Sequence, residues 1–256
     1  MLLAINAGNT NVSFCVFDGD TKRGAWRTST DAKRTADEFA AWLTHLMALG
    51  GLKPSDIKAV IVAIVVPEML FNLKTLCRQY FNCDPLLIGD KSVDLGIKVL
   101  IDKPEQAGAD RLVNAVEAHA RWGGPLIVVD YGTATNFDIV DRDGNFAGGI
   151  IATGINLSLK ALYEGAAKLP HIGVRRPTRV IGKDTVSAME SGIYWGYIGL
   201  VEGLIQRIQK EFGAKMKVIA TGGLAPLFQD ATHFDAVDVD LTLNGLLRVY
   251  KRNAGK

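Results

Sequence analysis

The chain has 256 residues, 48% of them hydrophobic and 22% charged, with a formal net charge of +2 at neutral pH. That is enough apolar material for one large core or for two lobes of about 120 residues each, and the charge is too evenly balanced to make nucleic acid an expected partner. Three cysteines (Cys15, Cys77, Cys83) in no metal-binding spacing, no basic leader and no run near the ~20 apolar residues of a membrane span give the expectation of a soluble cytoplasmic protein with reduced thiols and no membrane partner.

Strands are expected near 2–6 and 12–18, and the turn Asp18-Gly19-Asp20 leads to a third near 22–28. Thr35 to Met47 carries Phe39, Trp42, Leu43 and Leu46 at helical spacing, with Asp37 and Glu38 favouring its first turn. The near-continuous apolar run Ala59 to Val65 predicts a strand covered on both faces. A helix follows Pro67, and a short strand spans Asp84 to Ile88. Gln106 to Trp122 reads as a long helix entered through Gly108-Ala109-Asp110-Arg111, and Gly123-Gly124-Pro125 ends it.

The order then repeats. Strands are expected near 126–130 and 136–140, with a turn at Asp141-Arg142-Asp143-Gly144 and a glycine-rich strand from Phe146 to Ile151. Helices near 154–165 and 185–212 flank a loop, Leu169 to Gly182, holding the basic cluster Arg175, Arg176 and Arg179. That cluster reads either as a solvated loop or as a contact for an anionic ligand or a partner. Val218-Ile219-Ala220 is a strand ending in Thr221-Gly222-Gly223, and Asp240 to Leu246 opens the last helix. Each half is thus a three-strand meander followed by helices alternating with strands, which places lobes at 1–123 and 124–256.

Two segments repeat one device. In the first, an apolar strand ends in Asn6-Ala7-Gly8-Asn9-Thr10-Asn11 and continues into Val12-Ser13-Phe14. In the second, a strand ends in Asp130-Tyr131-Gly132-Thr133-Ala134 and continues into Thr135-Asn136-Phe137. Glycine lets the backbone come close to a ligand, successive amides make an anion-binding concavity, and hydroxyl and carboxylate groups add polar contacts. Two such hairpins suggest two related lobes acting on one nucleotide. A P-loop is excluded, because Gly-x-x-x-x-Gly-Lys-Ser/Thr is absent. No Gly-x-Gly-x-x-Gly joins a first strand to a helix, which argues against a dinucleotide-binding domain.

Duplicated meanders with phosphate-binding hairpins resemble the superfamily of acetate and sugar kinases, heat-shock ATPases and actin. Within it the chain is similar to the type III pantothenate kinases and the Bvg accessory factor proteins, over essentially its whole length. The segments that carry the resemblance, in order, are Asn6 to Thr10, Ala63-Ile64-Val65-Val66-Pro67, Gly108 to Arg111, Asp130 to Ala134, Gly148-Gly149-Ile150-Ile151-Ala152-Thr153-Gly154, and Thr221-Gly222-Gly223. The resemblance implies an α/β fold of two ribonuclease H-like, actin-like ATPase lobes, each a mixed sheet flanked by helices. It implies transfer of phosphate from ATP to pantothenate, with Mg2+ and a monovalent cation (K+ or NH4+), in a homodimer.

Residue by residue, it implies nucleotide contacts at Asn6, Ala7, Gly8, Asn9, Thr10, Asn11, Val12, Ser13, Gly132, Thr133, Ala134, Gly222 and Gly223. It implies substrate contacts at Gly108, Ala109, Asp110, Arg111 and Thr185, with Asp110 as general base. Each assignment has a plainer alternative. Asp110 reads also as a helix cap, Arg111 as a surface ion pair and Thr185 as an N-cap, the functional reading being preferred in each case. Thr221-Gly222-Gly223 reads also as a tight strand-to-helix turn. Asp130 corresponds to the monovalent-cation position; it reads also as a magnesium–water ligand or as a hydrogen bond closing the hairpin. Gly192, Gly196, Gly199 and Gly203, beside Tyr194, Trp195 and Tyr197, fit either a dimer contact or core packing.

The chain departs from the family pattern in three places. Asn6 stands where the first motif usually opens with Asp, which removes a negative charge from the expected metal–nucleotide site. This leaves a second reading, a non-catalytic regulator of the same fold that binds nucleotide or pantothenate. Ala152-Thr153 replaces a usual Pro-Gly, and Leu100 to Pro104 lacks the aromatic residue common before that proline. The histidines His45, His119, His171 and His233 show no metal spacing.

Overall fold

The computed structural model describes residues 1–166, 169–230 and 232–255. The chain forms two compact units. The first is Met1–Ala120 together with the chain from Leu241 on, and the second is Arg121–Asp240.

The first unit is built on a five-stranded sheet of β1 (Leu2–Ala7), β2 (Asn11–Asp18), β3 (Thr21–Ser29), β4 (Ala59–Ile64) and β5 (Leu86–Leu87), in the order β3-β2-β1-β4-β5. β1 lies antiparallel to β2 and parallel to β4. The central strands are apolar on both faces because both faces are covered; β3, at the edge, alternates and carries Lys22, Arg23 and Arg27. Alternation along β2 sends Val12, Phe14 and Val16 to one face and Cys15 and Phe17 to the other.

The first face packs on α1 (Ala36–Leu49) and α2 (Leu70–Phe81) through Phe39, Leu43, Met47, Leu73 and Leu76. Thr35 and Glu38 form a reciprocal capping box that starts α1, and Asn82 ends α2 in the left-handed region at φ 52°. The opposite face packs on α3 (Ala109–Trp122) and on the last helix.

The second unit repeats the plan with β6 (Leu126–Tyr131), β7 (Ala134–Val140), β8 (Phe146–Thr153), β9 (Lys217–Thr221) and β10 (Ala236–Val237). Their order is β8-β7-β6-β9-β10, with β6 antiparallel to β7 and parallel to β9. The two sheets are therefore topologically the same, the duplicated mixed-sheet α/β architecture expected from sequence. α4 (Ile155–Glu164) follows β8. α5 (Thr185–Phe212) and the short α6 (Ala225–Phe228) cover one face of the sheet with Tyr194, Tyr197, Val201 and Phe228. Asp184 caps α5 by accepting the Ser187 amide, and Gly213 terminates it at φ 75°.

Three details differ from the sequence reading. The helix expected from Gln106 is a single 3-10 turn, Pro104–Gln106, and α3 begins only at Ala109. The strand expected over Asp84 to Ile88 shortens to Leu86–Leu87. The final helix, α7 (Leu241–Asn253), was placed with the second half but packs with the first unit. Its Leu243, Leu246, Leu247 and Val249 join Leu2, Ala4, Phe17 and Ile61 in one core. Gly245 lets α7 approach α3 closely, since a Cβ there would lie 2.5 Å from the Val113 carbonyl oxygen. Buried Glu117 of α3 accepts from Arg248 at 2.6 Å, and Thr242 donates to Asn114 at 2.7 Å.

Candidate active site

In the first unit the hairpin between β1 and β2 is closed by the Gly8 amide, which donates to the Asn11 carbonyl at 3.0 Å. Thr30, just beyond β3, donates its hydroxyl to the Gly8 carbonyl at 2.6 Å, and its amide donates to Thr10 at 2.8 Å. The tip residues Asn9, Thr10 and Asn11 are exposed, Gly8 and Ser13 are half-buried, and Ala7 and Val12 are fully buried. Ala7 and Val12 therefore have only backbone to offer a ligand. Asn6 pairs across the ladder with Ser13 and with Ala63 of β4. Its side-chain oxygen is buried without a hydrogen-bond partner among the described residues. A buried acceptor left unpaired is costly, and a donor such as a metal-bound water would satisfy it. The valine–proline segment leaves β4 beside this hairpin, where the Val65 amide donates to Ala7 at 3.1 Å.

In the second unit Asp130 stands one residue before the end of β6, as Asn6 does in β1, and pairs with Asn136 of β7 and Thr221 of β9. The Gly132 amide donates to the Ala134 carbonyl at 3.1 Å, one residue nearer than in the first hairpin. Two glycines pack against this turn. A Cβ on Gly154 would overlap the Thr133 carbonyl oxygen. Gly222, at φ 89°, would place a Cβ 2.6 Å from the Tyr131 carbonyl and 2.7 Å from the Asp130 carboxylate. The structure thus brings Asp130, Gly132 to Ala134, Gly154 and Gly222 together.

Gly108 to Arg111 form the entrance to α3 in the first unit. Asp110 sits in the first turn and accepts the Arg111 amide at 2.8 Å. A Cβ on Gly108 would lie 2.8 Å from the Asp110 carboxylate, so a larger residue there would displace that side chain. Burial holds the Asp110 carboxyl above the ordinary carboxylate range, opposed by the hydrogen bond and charge of Arg111. A raised carboxyl is a better proton acceptor than an ordinary one.

Thr185 is the exposed first residue of α5, and the capping role belongs to Asp184. Tyr194 and Tyr197 are core residues, whereas a Cβ on Gly192, Gly196 or Gly199 would meet nothing within 4 Å. Thr30 had no signal in the sequence, since it belongs to no motif. Among the described residues there is no cluster of three or more His, Cys, Asp or Glu side chains placed to hold a metal. Nor, among the described residues, is any helix long and apolar enough to cross a membrane. A magnesium ion needs fewer protein ligands than such a cluster, because it keeps several waters.

Comparison with known proteins identifies the family. Residues 2–207 match the family model of type III pantothenate kinase. A protein named type III pantothenate kinase from Paramagnetospirillum magneticum is 62% identical over 255 residues, covering 99% of this chain and 98% of its own. One of the same name from Rhodospirillum rubrum is 58% identical, covering 99% of each. Among solved structures, a protein from Campylobacter jejuni described as a Baf family transcriptional activator matches with a TM-score of 0.64 at 18% identity, over 99% of this chain and 100% of that one. Another from Sinorhizobium meliloti, described as a 2-dehydro-3-deoxygalactonokinase, matches with a TM-score of 0.62 at 13% identity, over 100% and 97%. These two show the fold alone. On the family model and the full-length identities, the chain belongs to the type III pantothenate kinase family.

Proposed function

We propose that this protein transfers the terminal phosphoryl group of ATP to the primary hydroxyl of pantothenate, giving 4′-phosphopantothenate and ADP, the first step of coenzyme A synthesis. The observation that carries the reading is the 62% identity, along the full chain, to a protein named as that kinase. The Gly108 to Arg111 segment supplies a carboxylate to act as base and a guanidinium to hold the substrate's carboxylate.

Phosphoryl transfer demands neutralised phosphate charge and an oriented hydroxyl. Gly8 and Gly132, whose own amides close the hairpins, let the backbone come close to the phosphates, and the amides of Asn9 to Asn11, the side chains of Thr10 and Ser13, and the amides of Thr133 and Ala134 hold phosphate oxygens. Gly222 and Gly223 face the adenosine. Asp110 takes the hydroxyl proton late in the transfer, Arg111 holds the pantothenate carboxylate through its planar fork, and Thr185 contacts the same substrate. Magnesium, when bound, would add charge neutralisation, and the unpartnered Asn6 side-chain oxygen could accept a hydrogen bond from its hydration shell. Asp130 holds a monovalent cation, K+ or NH4+.

The protein acts as a homodimer, a reading supported by the open glycine face of α5 and the exposed Leu200 beside it. Three cysteines in no metal-binding spacing, Cys77 with its thiol pushed up to about 12 by burial, fit a reducing cytoplasm. The test is a coupled ADP-release assay on the pure protein. ADP release should require pantothenate and Mg2+ and rise with K+ or NH4+. Nucleotide binding without turnover would select the regulator that Asn6 suggests.

A further inference from the structure

The basic loop that the proposed reaction leaves unused encloses a cavity. Arg175, Arg176, Arg179 and Lys183 line a concavity of about 520 Å³ together with Pro177, Ile181 and the start of α5. The loop is fastened to the helix at several points. Arg175 donates to the buried carboxylate of Glu190 through Nε and Nη2, each at 2.7 Å. The Ser191 hydroxyl donates to the Val180 carbonyl, and the Lys183 amide donates to the Ser187 hydroxyl at 3.0 Å. Gly182 lies so close to Ser187 and Ala188 that a Cβ would overlap their backbone.

The charges in this cavity do not balance. Glu190 is its one carboxylate, and Arg175 already neutralises it. Asp184, next in sequence, is committed to the helix cap, bonding the Ser187 amide and hydroxyl at 2.9 Å each. Among the described residues no carboxylate pairs with Arg176, Arg179 or Lys183. Arg176 lies 5.9 Å from the centre of the Trp195 ring, a contact that leaves the edge of its fork available. Three like charges around one cavity repel each other, and an anion relieves that cost.

We propose that this cavity is a second anion site, built for a small molecule that carries phosphate. A single carboxylate would neutralise one of the three cations; a phosphate ester or diphosphate brings two or three charges with oxygens spaced for arginine forks. The volume falls in the usual range for small-molecule sites and exceeds what a lone phosphate fills. Pro177 and Ile181 offer apolar surface for the remainder of the ligand. Because Asp184 occupies the helix end, side chains rather than helix amides supply the recognition.

The test uses pyrophosphate as the probe, titrated calorimetrically into the full chain at low salt. Three proteins are compared: the parent, Arg176→Gln/Arg179→Gln, and Lys210→Gln/Lys215→Gln, which removes the same charge from exposed positions elsewhere in the unit. The arginine variant should bind pyrophosphate at least about tenfold more weakly. The lysine variant should stay within about twofold of the parent. Affinity for a non-hydrolysable ATP analogue should be unchanged in both, which separates this site from the glycine hairpins. A single Arg179→Gln change should fall between parent and double variant. No pyrophosphate binding, binding indifferent to the arginine changes, or an equal loss in the lysine variant would each overturn the proposal.

Discussion

The two glycine hairpins occupy equivalent places in duplicated sheets, yet they are held in different ways. The first is tied by hydrogen bonds, with Thr30 reaching to Gly8 and Thr10, and its tip stays exposed. The second is a tighter turn confined by backbone, with Gly154 and Gly222 pressed against it. At matching strand positions the first carries an amide, Asn6, and the second a carboxylate, Asp130. One copy of the duplicated device has therefore specialised in shape and charge, while the other depends on a few polar contacts. Substitutions should follow that division, with steric changes doing most damage in the second hairpin and charge changes acting by position.

The largest effect should come from Gly222→Ala. The left-handed backbone there costs an alanine about 1–2 kcal/mol, and the methyl group would press on Tyr131 and Asp130. We expect kcat/KM to fall about 100-fold or more, with a clear loss of affinity for an ATP analogue. Next is Asp130→Asn, which gives the second hairpin the amide of the first. Activation by KCl should weaken about tenfold or more in the ADP-release assay, since one charge at the proposed cation site is lost. The converse change, Asn6→Asp, restores a charge to the first hairpin, and kcat/KM at limiting Mg2+ should rise by about tenfold or less. If Asn6→Asp lowers activity, the orphaned oxygen is not a magnesium–water acceptor. Smallest is Thr30→Val, which removes one hydrogen bond worth about 1 kcal/mol and should lower Tm by a few degrees.

Much of the fold was legible because each central strand is a short apolar run bounded by glycine turns, and each long helix has a face of apolar residues. α6 and β10 were not, because four- and two-residue elements are too short to show a period. The placement of α7 failed for a different reason. Its apolar face is plain in the sequence, but nothing local says which sheet that face covers, and chain order suggested the wrong one. At the candidate site the motif glycines could be read, but their partners could not. The packing of Gly154 on Thr133 and the buried oxygen of Asn6 are properties of neighbouring strands and turns that no motif encodes. The N-cap of α5 was within reach: Asp184 followed by Ser187 is a capping pattern, whereas the sequence reading weighed Thr185 for that role.

The central claim is that Asp110 is the proton acceptor for a pantothenate kinase reaction, and replacing it with asparagine tests this most directly. Its carboxyl is raised by burial, so the charged form costs the folded state, and stability declines as pH rises from the ordinary carboxylate value through the raised one. Asp110→Asn removes that penalty, so its Tm at neutral pH should equal or exceed the parent's. In the parent, turnover should fall on acidification with a midpoint above the ordinary carboxylate value, because only the ionised group can take the proton. The measurement is pantothenate-dependent ADP release by Asp110→Asn beside its affinity for an ATP analogue. We predict kcat lower by about 100-fold or more with nucleotide affinity within about twofold; turnover that survives the substitution with its acid limb intact would contradict the account.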